Sequence, residues 1–243
     1  MAEKKVAVVT ENNVATDPHI AKEDLITKYS KPLIYGASAL ILLVGAWFGY
    51  QKLVKEPKEL KAAEIIFPAE SLFDKMALTG FNADSVNIVL NGGANAGTKI
   101  IGLLNVMKTY SGTPAANRAA YMAGAAYLQT KDFNNAVKYL KEFNAHDAYQ
   151  TEIKKYMMLG HAYAEQNKKD DALNAYKKAA TINEKDEVFT LDALMTAGAY
   201  AEFLGKPKDA IDLYQKAKDN YPAAQGVQNG DVDKYLARLG VTK

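Results

Sequence analysis

The stretch Tyr156-Met157-Met158-Leu159-Gly160-His161-Ala162-Tyr163 is followed, after eight intervening residues, by Ala172-Leu173-Asn174-Ala175-Tyr176-Lys177-Lys178-Ala179. Gly160 precedes Ala172 by twelve residues, and Tyr176 comes four later. The same intervals relate Gly124, Ala136 and Leu140 upstream and Gly198, Ala210 and Tyr214 downstream. Two antiparallel helices need small residues where they touch closely, so three such triplets in tandem read as three stacked helix pairs. The glycine-to-glycine distances are 36 and 38 residues.

Those intervals are slightly longer than the roughly 34 residues of a tetratricopeptide repeat, and the excess falls in loops around His146 and residues 184–187. The first copy keeps Tyr127 and Phe133 but has Phe143 where Ala is expected; the third has Ala201 in place of a Tyr. Each pair buries only part of its apolar surface internally, so the two ends of such an array need caps. Leu60, Ala63, Ile66 or Phe67, Leu72 and Met76 mark one face of an N-terminal capping helix, which Pro68 is expected to kink or break. A short helix over 82–90 should stop at Asn91-Gly92-Gly93, and another should run over 98–110. At the other end, Val232, Tyr235, Leu236 and Leu239 form a stripe with Asp231 as the expected N-cap.

Residues 33–50 hold no charge, which as helix spans roughly 27 Å. Tyr35, Trp47 and Tyr50 stand near the ends, where amphipathic rings favour the headgroup layer. A cleaved signal peptide would have a shorter core and a small-residue cleavage site; here Gln51-Lys52-Leu53-Val54-Lys55 follows, so an uncleaved anchor in membrane lipid fits better. Lys22, Lys28 and Lys31 flank one side, and Lys52, Lys55, Lys58 and Lys61 the other, so the positive-inside count leans against a cytoplasmic N-terminus and leaves orientation open. Gly45 and Gly49, with Ser38 and Leu42 on about the same face, offer a surface for helix packing in lipid, although glycine is common in membrane helices anyway.

The expected fold class is therefore all-α: a single N-terminal transmembrane helix followed by a tetratricopeptide-repeat solenoid. Residues 1–31 read as a mobile tail, 32–54 as the anchor, 55–113 as N-terminal capping helices, 114–222 as three repeats and 223–243 as a C-terminal cap. A net charge of +2 with interleaved Lys, Asp and Glu supplies no stripe for nucleic acid. The absence of cysteine excludes disulfides and thiolate chemistry. No catalytic, metal or cofactor residues are assigned. His19, His146 and His161 are scattered, residues 92–99 lack the Gly-Lys-Ser/Thr ending of a phosphate loop, and Asp170-Asp171 reads as a solvated helix start.

In the repeat register the first helices present Arg118, Tyr121 and Ala125, then Lys154, Met157 and His161, then Asp192, Met195 and Ala199, to the inside of the array. The central row of Tyr121, Met157 and Met195 lacks the Lys, Asn and Arg that grip a peptide carboxylate. It fits either an adaptable apolar groove or burial against the terminal helices, and both readings stay open.

The order of a short tail, one membrane helix (residues 33–50) and the triplets at Gly124/Ala136, Gly160/Ala172 and Gly198/Ala210 resembles the YfgM family over residues 22–240. The 82–113 insert and the Tyr-rich helices look similar to versions from Bacteroidota-type bacteria. The resemblance implies a non-enzymatic ancillary subunit of the Sec translocon in the bacterial inner membrane, with a cytoplasmic N-terminus and periplasmic repeats. Its partners would be translocon subunits, met through Gly45 and Gly49, and secretory polypeptides or periplasmic chaperones, met through Tyr121, Met157 and Met195. An assembly scaffold of another envelope or secretion complex and a cytoplasm-facing adaptor are the alternatives.

Overall fold

The computed structural model describes residues 18–241, with side chains from residue 31 onward. The chain divides between Pro57 and Lys58 into two compact units. Helix α1 (Pro18–Tyr50) makes up most of the first unit. Residues 18–31, expected in the tail, are helical, because Ala21, Lys22, Glu23 and Leu25 are good helix formers and extend the apolar helix toward the N-terminus. The rest of the expected tail, residues 1–17, lies outside the described residues. Every side chain from 31 to 48 is exposed, including Leu40, Ile41, Leu42, Leu43, Trp47 and Phe48. A helix this long and apolar can cross a membrane, and none of its apolar window is covered by protein. A five-residue π-helical turn (Gln51–Lys55) follows, and Lys52 pairs with Glu56 at 2.7 Å.

Helix α2 (Glu56–Thr79) belongs to the second unit from Lys58 onward and buries Ala62, Ile66, Ala69, Leu72 and Met76. Ile66, Leu72 and Met76 were expected there; Leu60, Ala63 and Phe67 instead face outward. Both sides of this helix carry apolar residues, so its period alone has two solutions. Nor does Pro68 interrupt the helix. It removes one amide donor, while Ile66, Ala69 and Leu72 around it are held in the core.

Helix α3 (Ala83–Asn91) begins at Asn82, whose side chain accepts from the Ser85 amide at 2.8 Å, and it ends at Gly92 as expected. The expected helix over 98–110 is shorter. Residues 93–100 form a β-hairpin, β1 (Gly93–Asn95) against β2 (Thr98–Ile100), and α4 (Leu103–Thr109) starts only after Gly102. Positive φ at Ala96 and Gly97 closes the two-residue turn.

Three antiparallel pairs follow: α5 (Pro114–Gln129) with α6 (Phe133–Glu142), α7 (Tyr149–Glu165) with α8 (Lys169–Ala179), and α9 (Glu187–Phe203) with α10 (Pro207–Asn220). A β-carbon placed on Gly124 would lie 2.6 Å from Leu140 Cγ, and one on Gly198 would lie 2.5 Å from Tyr214 Cε1. On Gly160 it would overlap the Tyr176 ring. The large residue of each triplet thus occupies the volume its glycine leaves empty. Each pair turns through one left-handed residue, Lys131 (φ 63°), Asn167 (φ 57°) or Gly205 (φ 66°). The next amide reaches back five residues at 2.9 Å in all three, to Tyr127, Tyr163 and Ala201, which closes the helix C-terminus in a Schellman-type turn.

The junctions between repeats are tied along both edges. At the turn edge, Gln166 donates to Asn134 (3.0 Å) and Lys206 pairs with Asp170 (2.6 Å). At the opposite edge, Lys155 donates to the Phe143 carbonyl (3.0 Å) and Gln150 to Asp186 (2.8 Å). After the short helix α11 (Gln225–Gln228), α12 (Asp231–Arg238) buries Val232 and Leu236 with Ala201, Ala210 and Tyr214. Its N-cap is Gly230 in a left-handed conformation, not Asp231. Asp231 is the first helical residue and pairs with Lys234 at 2.8 Å. Arg238 forks onto Glu202 of α9 at 2.7 and 3.1 Å, and Tyr214 donates to the same carboxylate at 2.7 Å. Partial burial works against that carboxylate, but these hydrogen bonds and the Arg238 charge outweigh it and hold its pKa below the ordinary value.

Candidate partner-binding groove

Helix α7 contacts both α5 and α9 directly, and each outer helix, α6 or α8, packs against the inner helix of the next repeat. The first helices therefore line the inside of the array, where the repeat register places them.

In the first repeat this inner face is a cleft of about 500 Å³. Tyr121, Met122, Phe143 and Ala145 form its apolar floor. The Tyr121 and Phe143 rings meet at 5.0 Å, and burial raises the Tyr121 pKa, so its phenol stays protonated. Arg118 lies on the rim, its Nε 2.7 Å from Glu70 of α2, so this expected groove cation already holds a carboxylate of its own chain. The far wall is the loop after α6, fixed by reciprocal bonds: Asn117 Nδ2 donates to the Asn144 carbonyl (2.7 Å), and the Asn144 amide donates to Asn117 Oδ1 (2.9 Å). Sequence reasoning missed Glu70, Asp74, Asn117 and Asn144 as cleft residues. The available signal was Phe143, which departs from the repeat pattern and supplies the aromatic floor.

Further along, the expected residues are divided between surface and core. Lys154 is exposed, with its ammonium 5.0 Å from the Phe189 ring centre. Met157 and Met195 are half-buried and pack against the inter-repeat core: Met157 joins Ile153, Ala193 and Ala197, while Met195 joins Leu194 and Tyr214. They contribute to the stacking of repeats as well as to the inner face. His161 has an exposed edge, but its Nδ1 is 2.9 Å from the Tyr176 hydroxyl and its ring packs edge-on at 5.4 Å. Desolvation lowers its pKa despite nearby Asp192 and Glu165, which favours a neutral imidazole sharing one hydrogen bond with the Tyr176 hydroxyl. Asp192 is exposed. Among the described residues, the cleft in the first repeat brings Arg118 and Tyr121 together; the other expected residues lie along α7 and α9.

In α1, Gly45 and Gly49 have open space where a β-carbon would sit, and Leu42 is exposed. Ser38 donates its hydroxyl back to the Ile34 carbonyl at 2.7 Å, which satisfies it within its own helix.

Comparison with known proteins agrees with this geometry. A family model described as Tetratricopeptide repeat matches residues 118–143 and 155–186, and a second of the same description matches residues 192–224. A TPR repeat-containing protein of Methanocaldococcus jannaschii is 32% identical over 98 residues, which is 39% of this chain and 30% of that relative. The chain thus spans less than a third of that relative's length. What the matches share is the helix-pair repeat, an architecture used to bind other proteins.

Proposed function

We propose that this chain is a non-enzymatic, membrane-anchored tetratricopeptide-repeat scaffold that acts as an ancillary subunit of the Sec translocon. The observation that carries the reading is one apolar, uncovered helix followed by a repeat array whose first inner face is an open cleft. In this reading α1 sits in the bacterial inner membrane with its N-terminus in the cytoplasm. The Gly45 and Gly49 face meets translocon subunits. The repeats lie in the periplasm, where the Tyr121–Phe143 floor receives an apolar side chain of an emerging secretory chain or a chaperone. The Asn117–Asn144 clasp keeps the cleft wall in place for an extended segment to enter.

Site-specific photo-crosslinking in intact cells tests this, with probes replacing Gly45 in the membrane and Tyr121 in the cleft. Translocon subunits captured at position 45, together with secretory chains or chaperones at position 121, are the expected result. Reproducible capture of another envelope machine at both positions would replace the translocon assignment with an assembly scaffold. Capture of nothing at either position overturns the partner reading altogether.

A further inference from the structure

Helix α2 carries a second apolar stripe on the side away from its core. Leu60, Phe67 and Leu78 are 73%, 67% and 89% exposed, whereas Ala62, Ile66, Ala69 and Met76 are buried. Seven and eleven residues separate the three, close to two and three helical turns, so they stand in line along one face. Ala63 and Ser71 lie beside them and are exposed as well. Large aliphatic and aromatic groups held in water along a helix mark a face that another helix covers.

We infer that this face pairs with the same face of a second copy of the chain, the two α2 helices running parallel. One adjacent pair of opposite charges beside the stripe selects that partner. Asp74 and Lys75 are adjacent, and at about 100° per residue they fall on opposite flanks of the Leu60–Phe67–Leu78 line. Both are exposed, and neither has an ion-pair partner among the described residues; Asp74 also lines the edge of the first-repeat cleft, so the paired face borders that cleft without including Tyr121. Two-fold symmetry in a parallel pair brings each Asp74 to the flank that carries the other copy's Lys75, so two reciprocal pairs form at one level. An antiparallel pair would separate those levels and set Leu60 against Leu78. Anchoring in one bilayer concentrates the copies for pairing, and to that extent the inference rests on the anchor reading.

The natural absence of cysteine makes the test direct. Leu60→Cys, Phe67→Cys and Leu78→Cys are each introduced into the full chain, and its membranes are oxidised with copper phenanthroline. Lys108→Cys and Lys208→Cys, exposed on α4 and α10, serve as controls. Each stripe position should give disulfide-linked dimers well above both controls. In the Phe67→Cys background, Asp74→Lys should lower dimer yield roughly threefold, and adding Lys75→Asp should restore it. Yields at control level overturn the pairing. Linkage only in mixtures of Leu60→Cys with Leu78→Cys chains overturns the parallel arrangement, and failure of the charge exchange to rescue overturns the role of Asp74 and Lys75. Labelling of Phe67→Cys by a lipid-phase maleimide without dimers would make lipid the occupant. Carbonate extraction checks the anchor separately: a chain released from membranes refutes the anchor, while the crosslinks still report on the pairing.

Discussion

A methyl group on Gly160 would occupy space that the Tyr176 ring fills, and the ring is packed between His161 and Tyr200. Overpacking of this kind costs about 1–3 kcal/mol, against a gain of up to ~1 kcal/mol from replacing glycine in a helix. The clash wins, so Gly160→Ala should lower the urea midpoint of the solubilised chain with an unchanged slope. Tyr176→Ala in the same chain should cost less than it does alone, because the two positions share one volume. The Schellman turns give a change of opposite sign. Asn167 and Gly205 take the left-handed conformation at little cost, but Lys131 holds φ 63° with a β-carbon. Lys131→Gly should raise stability by about 0.5 kcal/mol in the same urea experiment, after the entropy that glycine adds to the unfolded chain.

At the scale of elements, α12 is held by Val232 and Leu236 below and by the Arg238–Glu202 fork above, with Arg238 also 4.9 Å from the Tyr235 ring centre. Arg238→Ala should let this helix open more often. Amide exchange at Val232 and Leu236 should then speed up by roughly tenfold while α5 and α6 keep their protection, since repeats communicate only with their neighbours. The helix pairs were legible because every copy repeats one spacing, and a helix–helix contact admits few residue types. The hairpin over 93–100 was not, since strands of three residues are too short to display alternation. The outward faces of Leu60 and Phe67 escaped for another reason: a helix apolar on two sides does not reveal which one meets the core. The cleft was half legible. Tyr121 and Arg118 follow from the register, but Glu70 and Asp74 come from a helix outside the repeats.

For the whole molecule, the lysines flanking the anchor leave its orientation to experiment, and the cysteine-free background permits a clean one. An exposed Asn220→Cys should react with a membrane-impermeant maleimide in intact cells whose outer membrane has been permeabilised, whereas Ala2→Cys should react only after lysis. The reverse pattern would place the repeats in the cytoplasm. The ties along both edges of each junction also bear on how the array carries load. Gln166–Asn134 and Lys206–Asp170 restrain one margin, Lys155–Phe143 and Gln150–Asp186 the other, so no junction is free to hinge alone. Under the proposed function, a pull on a segment seated near Tyr121 would be spread over neighbouring repeats instead of prising open one seam, much as a laminated strip shares load among its layers.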